Sequence, residues 1–343
     1  MQPRIKRTRK LRDRLLAEFY HRYYLWFDRD NRDRRLAYLR QRSYSKFYVD
    51  LNRDYRNSIF LAGSARSGTT WASDIINYKN EYRYVFEPFH SGKVEICKGF
   101  EHRQYLRPGD RGEEFLRPAR TILSGGLRSH WPDHLHRRFV SRRRLIKEVR
   151  ANLMLGWIHA NFPEMPIVFV LRHPCAVATS MLKLGWKPDL DALLSPRELV
   201  EDFFEPFEEE IRSAQTDFER HIFSWCIENY VPLKQLGPVD FHLIFYENLC
   251  EDPEGEVKRL FAFLGKDFDE SIFDKLKKPS VFSRPGSAVL SGERLVDGWR
   301  KHVTDAQLDR AVEILGLFGL HKVYSGEPMP DPNGTLTLMG AGR

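Results

Sequence analysis

The sequence has few cysteines and no long hydrophobic run. No stretch approaches the ~20 consecutive apolar residues that a membrane-spanning helix requires. The first residues, MQPRIKRTRKLRDRLL, lack the apolar segment of a secretory signal. The cysteines form no C-x-x-C pair and have no histidines at ligand spacing, which predicts a reducing compartment and no structural zinc. We therefore expect a cytoplasmic protein. The four cysteines are Cys97, Cys175, Cys226 and Cys250.

The sequence does contain enough apolar residues for a folded core. Hydrophobic residues make up 42% and aromatic residues 13% of its 343 residues, which indicates a globular protein. The formal net charge of +8 is concentrated at one end. Residues 1–56 contain 17 Lys and Arg against seven Asp and Glu, so this segment carries about +10 and the remainder about −2. We treat residues 1–56 as a basic, partly helical arm.

Within this arm, apolar side chains recur at steps of four and predict an amphipathic helix with an aromatic face. Its cations could face anionic lipid, which would give a peripheral membrane contact, or a polyanionic acceptor. The alternative is a solvated helix that packs on the main domain. No recognition motif accompanies the charge, so we do not expect nucleic-acid binding. The apolar positions are Leu11, Leu15, Phe19, Tyr23 and Phe27.

From residue 57, short apolar runs alternate with helical stretches, which is typical of an α/β fold with a mainly parallel central sheet and helices on both faces. The expected strands are SIFLAG, YRYVFEPF, RRLIKEV, PIVFVLR and FHLIFYE. We expect the main domain to span 57–325 and a loosely ordered tail to span 326–343. The stretch from Lys93 to Arg144 is a candidate lid or binding loop. The expected helices span 70–78, 152–161, 174–183, 196–213, 217–236 and 253–264.

A loop of the phosphate-binding type follows the first strand. GSARSGTTW, residues 63–71, has the glycine spacing G-x-x-x-x-G and leads into a helix, where backbone N–H groups and the helix dipole favour an anion. Thr69 and Thr70 occupy the positions where a nucleoside-triphosphate loop carries Lys and then Ser or Thr, and the only cation is Arg66. The missing lysine argues against a kinase that binds ATP and Mg²⁺.

A second anion site is expected at the end of the strand in FVLRHPCAVATSM. Arg172 ends this strand, and Ser180 lies about two turns into the helix that begins at Pro174. A guanidinium beside a hydroxyl can bind a phosphate. A nucleotide with a second phosphate needs such a site and ATP does not. We expect the two anion sites to be separate and to lie a nucleotide's length apart.

Together these stretches resemble the sulfotransferases that use 3′-phosphoadenosine 5′-phosphosulfate (PAPS). The loop resembles their 5′-phosphosulfate loop, Arg172 with Ser180 resembles their 3′-phosphate site, and FSRPGSAV resembles their late R-K-G segment, with Pro285 in place of the usual Lys. The resemblance extends from about Ser58 to Trp299. It implies a P-loop-like sulfotransferase fold, PAPS as co-substrate, adenosine 3′,5′-bisphosphate as product, and no required metal. The implied nucleotide-binding residues are Arg66, Ser67, Gly68, Thr69, Thr70, Trp71, Arg172, Ser180, Tyr246, Arg284, Pro285 and Gly286.

The resemblance also implies the reacting groups. Phenol and steroid sulfotransferases use a His in a K-T-H-like stretch, but LIKEVRANL keeps Lys147 and has Val149 at the position of that His. A branch that includes glycan-type enzymes uses a Glu at the end of the second strand, and YVFEPFH supplies Glu87. The implied roles are Glu87 as base, Lys147 at the transferring sulfonate and Arg66 at the leaving phosphate.

Two neighbours complete this site. Arg150 matches a basic position of the glycan-type relatives and could orient an acceptor, whereas His90 is an alternative base. We expect Pro88 to hold Glu87 in an extended conformation, and apolar neighbours to raise the pKa of Glu87 by partial burial. The alternative is that Glu87 only pairs with an arginine.

These observations predict transfer of a sulfonate from PAPS to a hydroxyl of a carbohydrate or glycoconjugate. Two other functions stay open at this point. One is a kinase-like phosphotransferase with a degenerate phosphate loop. The other is a non-catalytic protein that binds polyanions or membranes through the basic arm.

Overall fold

A five-stranded parallel sheet lies at the centre of the computed structural model, which describes Ser43, residues 46–276 and residues 295–340. Its strands are β2 (Ser58–Gly63), β3 (Arg83–Phe86), β5 (Arg144–Glu148), β6 (Ile167–Leu171) and β7 (His242–Phe245). All five strands predicted from apolar runs are confirmed. The strand order is β3-β5-β2-β6-β7, and every neighbouring pair is parallel. Two short strands, β1 (Val49–Asp50) and β4 (Val140–Ser141), pair separately.

Helices cover both faces of the sheet, as predicted. Alternate residues of β2 point to opposite faces, so Phe60 and Ala62 join one buried cluster while Ile59 and Leu61 join the other. The helices are α1 (Thr69–Ile76), α2 (Glu113–Leu123), α3 (His130–Asp133), α4 (Leu155–Asn161), α5 (Pro174–Lys183), α6 (Leu190–Leu193), α7 (Arg197–Leu199), α8 (Glu208–Arg212), α9 (Asp217–Gln235), α10 (Tyr246–Glu251), α11 (Pro253–Phe263), α12 (Ser271–Leu276), α13 (Asp305–Leu317) and α14 (Pro332–Leu338).

Two expected segments differ in the structure. The single helix expected over 196–213 is interrupted, because a π-turn at Val200–Phe204 and a 3₁₀ turn at Glu205–Phe207 separate α7 from α8. Pro206 lies in the second turn and has no N–H to continue an α-helix. In the candidate lid between Lys93 and Arg144, α2 packs its apolar face into the core. Part of the candidate lid is therefore a helix that belongs to the core of the domain.

The ends of the described chain pack closely against the domain. Before β2, Asp50 is buried and its carboxylate pairs with Arg83 at 3.4 Å and with Arg144 at 2.9 Å. In the tail, where loose order was expected, Asp331 caps α14 and Leu338 is buried. The domain limits at residues 56 and 326 stay predictions. The predicted arm helix from Leu11 to Phe27 lies outside the described residues.

No helix in the described ranges combines the length and the apolar character needed to cross a membrane.

Candidate active site

The candidate residues meet at one edge of the sheet. Because the five strands are parallel, their carboxyl ends lie together at the edge where α/β proteins bind ligands. Lys147 lies near the end of β5, and the other candidates follow strand ends. These are Arg66 after β2, Glu87 after β3, Arg172 after β6 and Tyr246 after β7.

The loop between β2 and α1 leaves a helix N-terminus without a side-chain cap. Ser67 folds the loop back, since its backbone N–H and its hydroxyl both donate to the carbonyl of Ser64, at 3.1 and 2.6 Å. Gly68 then precedes α1 with φ 97°, a left-handed conformation that favours glycine, and no side chain caps the helix. A Cβ on Gly68 would lie 2.5 Å from Cδ2 of Tyr246. Thr69, Thr70 and Trp71 form the first turn, where N–H groups are available to an anion.

The residues of the two expected anion sites lie next to each other. Arg66 Nε donates to Ser180 Oγ at 3.0 Å, and Arg172 Nη1 donates to the carbonyl of Arg66 at 3.2 Å. The expected separation by a nucleotide's length is therefore wrong for these side chains. Since β2 and β6 are adjacent in the sheet, residues that follow them are neighbours, and the side chain of Arg66 reaches α5.

Aromatic rings border the group formed by Arg66, Arg172 and Ser180, which we call the anion-binding cluster. The guanidinium of Arg172 lies 4.1 Å from the ring centroid of Tyr246, and the ring of Trp71 meets that of Tyr246 edge-on at 5.6 Å. Burial raises the pKa of Tyr246 to about 12, so its phenol stays neutral. Arg172 Nε and Trp71 Nε1 are buried and have no hydrogen-bond partner within the described chain. Buried donors of this kind fit an acceptor-rich anionic ligand.

The buried carboxylate of Glu247 holds the segment that carries Arg172. Glu247 Oε1 accepts from the backbone N–H of His173 at 2.8 Å, and its Oε2 accepts from the hydroxyl of Tyr324 at 2.8 Å. The ring of His173 stacks on Trp299 at 4.2 Å. Trp299 and Tyr324, late in the chain, thus contact the segment beside Arg172, which was not predicted from the sequence.

Glu87 and Lys147 form a buried ion pair. Glu87 directly follows β3 as predicted, and its side chain is 10% exposed, while that of Lys147 is 5% exposed. Lys147 Nζ donates to Glu87 Oε1 at 2.7 Å, and Arg150 Nη1 donates to Glu87 Oε2 at 2.5 Å. The position predicted for a base therefore has two cations, both within hydrogen-bond distance.

The expected extended conformation of Glu87 is wrong. Its φ is 42°, in the left-handed region. Two hydrogen bonds hold it there, since its N–H donates to the carbonyl of Lys147 at 2.7 Å and its carbonyl accepts from Trp131 Nε1 at 3.2 Å. Tertiary contacts thus override the local preference that Pro88 imposes.

The expected rise in the pKa of Glu87 is also wrong. Burial alone raises this pKa, but the charges and hydrogen bonds of Lys147 and Arg150 outweigh burial, so the pKa lies below its ordinary value. Burial lowers the pKa of Lys147, and the charge of Glu87 opposes that change. Glu87 is therefore ionised at neutral pH.

Trp131 and Glu148 lie beside this ion pair and were not predicted from the sequence. Trp131 contacts the backbone of Glu87 as described above. Glu148 is fully buried, and burial and the charge of Glu87 raise its pKa, against the opposing effects of Arg150 and nearby backbone N–H groups. The available signal for Glu148 was its position next to Lys147 at the end of the predicted strand. His90, the alternative base, accepts through Nδ1 from the N–H of Gly92 at 3.2 Å.

Arg284, Pro285 and Gly286 lie outside the described residues. Within the described ranges, no group of three or more His, Cys, Asp or Glu side chains could hold a metal ion.

The strand, glycine-containing loop and helix, with an arginine cluster beside them, define an α/β protein of the P-loop-like class. A model of the sulfotransferase family matches residues 58–270, which is more than half of the chain. The chain belongs to the sulfotransferase family.

Curated relatives are distant in sequence. Nodulation protein NoeE of Sinorhizobium fredii is 23% identical over 274 residues, with 75% of this chain and 63% of that protein covered. Sulfotransferase 1B1 of Canis lupus familiaris is 24% identical over 222 residues, covering 64% and 63%. The chain thus spans less than two thirds of the length of these relatives. The crystal structure of mouse sulfotransferase SULT7A1 complexed with PAP has 16% identity and a TM-score of 0.41, covering 81% and 88%.

Proposed function

We propose that this chain transfers a sulfonate group from PAPS to a hydroxyl of a carbohydrate or glycoconjugate. The proposal depends mainly on one observation. The anion-binding cluster of Arg66, Arg172 and Ser180 lies at the same sheet edge as the Glu87–Lys147 ion pair. Sulfonate transfer requires that the site for the anionic donor and the group that accepts the hydroxyl proton lie close together.

The residues present fit a nucleotide with two anionic groups. In the proposal, the α1 N-terminus with Ser67, Gly68, Thr69 and Thr70 holds the 5′ end. Arg172 and Ser180 hold the 3′-phosphate, where the unpartnered Nε of Arg172 supplies a buried donor. The nucleotide supplies the sulfonate when it is bound. The base-side rings are those of Trp71 and Tyr246, and Arg284, Pro285 and Gly286 are carried over from the sequence resemblance alone.

Glu87 is the proposed base. Its lowered pKa keeps it deprotonated at neutral pH and so able to accept a proton from an acceptor hydroxyl, although a low pKa also weakens it as a base. Lys147 supplies positive charge for the non-bridging oxygens, which is the main catalytic contribution expected in transfers of this kind. Arg66 is proposed for the leaving oxygens, a role that requires its side chain to turn away from Ser180 Oγ. No metal is invoked.

The carbohydrate or glycoconjugate acceptor is supported by residue types around Glu87. Val149 occupies the position of the histidine of phenol and steroid enzymes, and it is buried, so a Glu-type base is favoured. Arg150 contacts Glu87 and is 21% exposed, so part of its guanidinium can face a polar acceptor.

A cytoplasmic location, supported by four free thiols, and a peripheral membrane contact of the arm belong to the same proposal.

Calorimetric titration tests the class of function. We expect adenosine 3′,5′-bisphosphate to bind tightly and ATP with Mg²⁺ to give no heat. The reverse result would favour the kinase-like alternative, and no heat with either ligand would favour a non-catalytic polyanion-binding protein. Incubation with ³⁵S-labelled PAPS and separate panels of oligosaccharides, phenols and steroids then tests the acceptor. Label transfer only to phenols or steroids would contradict the carbohydrate assignment.

A further inference from the structure

Glu148 is a buried carboxylate that connects the two segments of the candidate active site. It ends β5 and is 0% exposed. Its Oε2 accepts from the backbone N–H of Phe89 at 2.9 Å, and its Oε1 accepts from the N–H groups of Val149 at 2.9 Å and Arg150 at 3.1 Å. One side chain thus bonds both the segment after Glu87 and the turn that carries Arg150.

The first segment needs such support. A non-glycine residue with φ 42° is uncommon and persists only where the surrounding structure holds it. Two bonds fix Glu87 itself, through the carbonyl of Lys147 and the indole of Trp131. The hydrogen bond from the Phe89 N–H to Glu148 fixes the chain two residues after Glu87. The chain is therefore restrained both before and after Pro88.

The second segment is restrained from the same carboxylate. Glu148 Oε1 accepts from the Arg150 N–H and lies 3.9 Å from Arg150 Nη1, the atom that also contacts Glu87 Oε2. The Arg150 guanidinium therefore lies between two carboxylates. All three hydrogen bonds to Glu148 come from backbone N–H donors, which suits a group that only accepts.

We propose that Glu148 is a positioning residue for the sulfonate transfer. It holds Glu87 in the left-handed conformation and directs Arg150 onto it, and so sets where the Glu87 carboxylate meets an acceptor. The inference rests on the proposed function because it takes Glu87 as the base. Glu148 is fully buried, so it acts through Glu87 and Arg150.

The structural test is a crystal structure of Glu148→Gln without ligand, compared with a wild-type crystal structure determined in the same way. A glutamine has one carbonyl oxygen, so its NH₂ group must face a backbone N–H on at least one side. We expect Glu87 to leave φ near 42° or Arg150 to leave Glu87. An unchanged Glu87 backbone with an intact Arg150–Glu87 contact would overturn the proposal, whatever the acceptor is.

The matched control is Glu256→Gln. Glu256 is also a buried carboxylate whose pKa is raised by burial, but it lies on α11 and pairs with Arg259 at 2.6 Å. This variant should leave Glu87 and turnover unchanged, because α11 packs in the second buried cluster, with Ile244 and Leu249.

The kinetic test separates positioning from nucleotide binding. With an oligosaccharide that the wild type sulfates, we expect Glu148→Gln to lower kcat by about 10- to 100-fold, as misplacement of a reacting group does. Its Kd for the bisphosphate should stay within about two-fold. Equal losses in kcat and in bisphosphate affinity, or a wild-type kcat, would contradict positioning. Failure of the wild type to bind bisphosphate would instead refute the proposed function, and the crystal structure would still judge Glu148.

Discussion

Replacing Glu87 by Gln tests both the ion pair and the proposed base. The side chain is nearly isosteric, so packing is kept while the negative charge is removed. In the variant, Lys147 keeps a buried ammonium group that faces a neutral amide, and Arg150 loses one carboxylate partner. We expect the variant to be less stable and nearly inactive, with bisphosphate affinity nearly intact.

The size of the stability loss follows from burial. Removing one partner of a buried ion pair costs about 3–5 kcal/mol. Here the glutamine oxygen still accepts one hydrogen bond, and Arg150 is 21% exposed and can turn to solvent. Both features reduce the loss, so we expect about 1–3 kcal/mol. Separately from this loss of stability, loss of general base catalysis should lower kcat by a factor of about 10² to 10⁴.

Urea denaturation of four proteins measures the interaction. These are the wild type, Glu87→Gln, Lys147→Met and the double variant. Because the double variant leaves no buried lysine unpaired, it should be less destabilised than the sum of the two single variants, by about 1–3 kcal/mol. Calorimetry with bisphosphate and the PAPS assay complete the set.

Two results would refute this reasoning. Additive stability losses would mean that the 2.7 Å contact contributes no coupling between Glu87 and Lys147. A large loss of bisphosphate affinity in Glu87→Gln would mean that Glu87 supports the nucleotide site instead of acting as a base.

Three further predictions concern Arg172, Gly68 and the pH dependence of stability. Arg172→Ala should weaken bisphosphate binding by about 10- to 100-fold in calorimetry, because a buried charge-assisted contact is lost; unchanged affinity would contradict its role. Gly68→Ala should destabilise the fold by at least about 1–2 kcal/mol in urea denaturation, because φ is 97° and the new Cβ meets Tyr246; a neutral effect would contradict that close approach. Since the pKa of Glu87 is lowered on folding, its stabilisation is complete above the ordinary value of 4.5 and is lost as pH falls through the lower folded value. Wild type minus Glu87→Gln stability should therefore shrink below pH 4.5, and a difference that grows with acid would contradict the sign.

Local sequence signals predicted the central sheet and five of the fourteen helices of the described residues. The apolar runs of all five central strands are long enough to identify, and α5 has the predicted limits because Pro174 opens it. The strands β1 and β4 have two residues each, too few for any periodicity. Helix α2 was missed because its apolar positions are embedded in a charged stretch.

The sequence predicted that candidate residues gather at one edge of the sheet, but not how they contact each other. Lys147 lies near a strand end, Arg66, Glu87 and Arg172 follow strand ends, and Ser180 on α5 contacts Arg66. Rules for adjacent residues gave the wrong conformation and pKa for Glu87, because its partners come from about 60 positions later in the chain. Contacts at such separation are visible only once β3 and β5 pair.

Through the hydrogen bond from Tyr324 to Glu247, the late part of the chain supports the segment that carries Arg172. Glu247 also receives the N–H of His173, next to Arg172, so the two interactions share one carboxylate. A truncation before Tyr324 would leave that carboxylate half satisfied in a buried place. The effect would reach Arg172, whose Nη1 donates to the carbonyl of Arg66 in the loop of residues 63–71, so shortened versions of this chain should retain Tyr324.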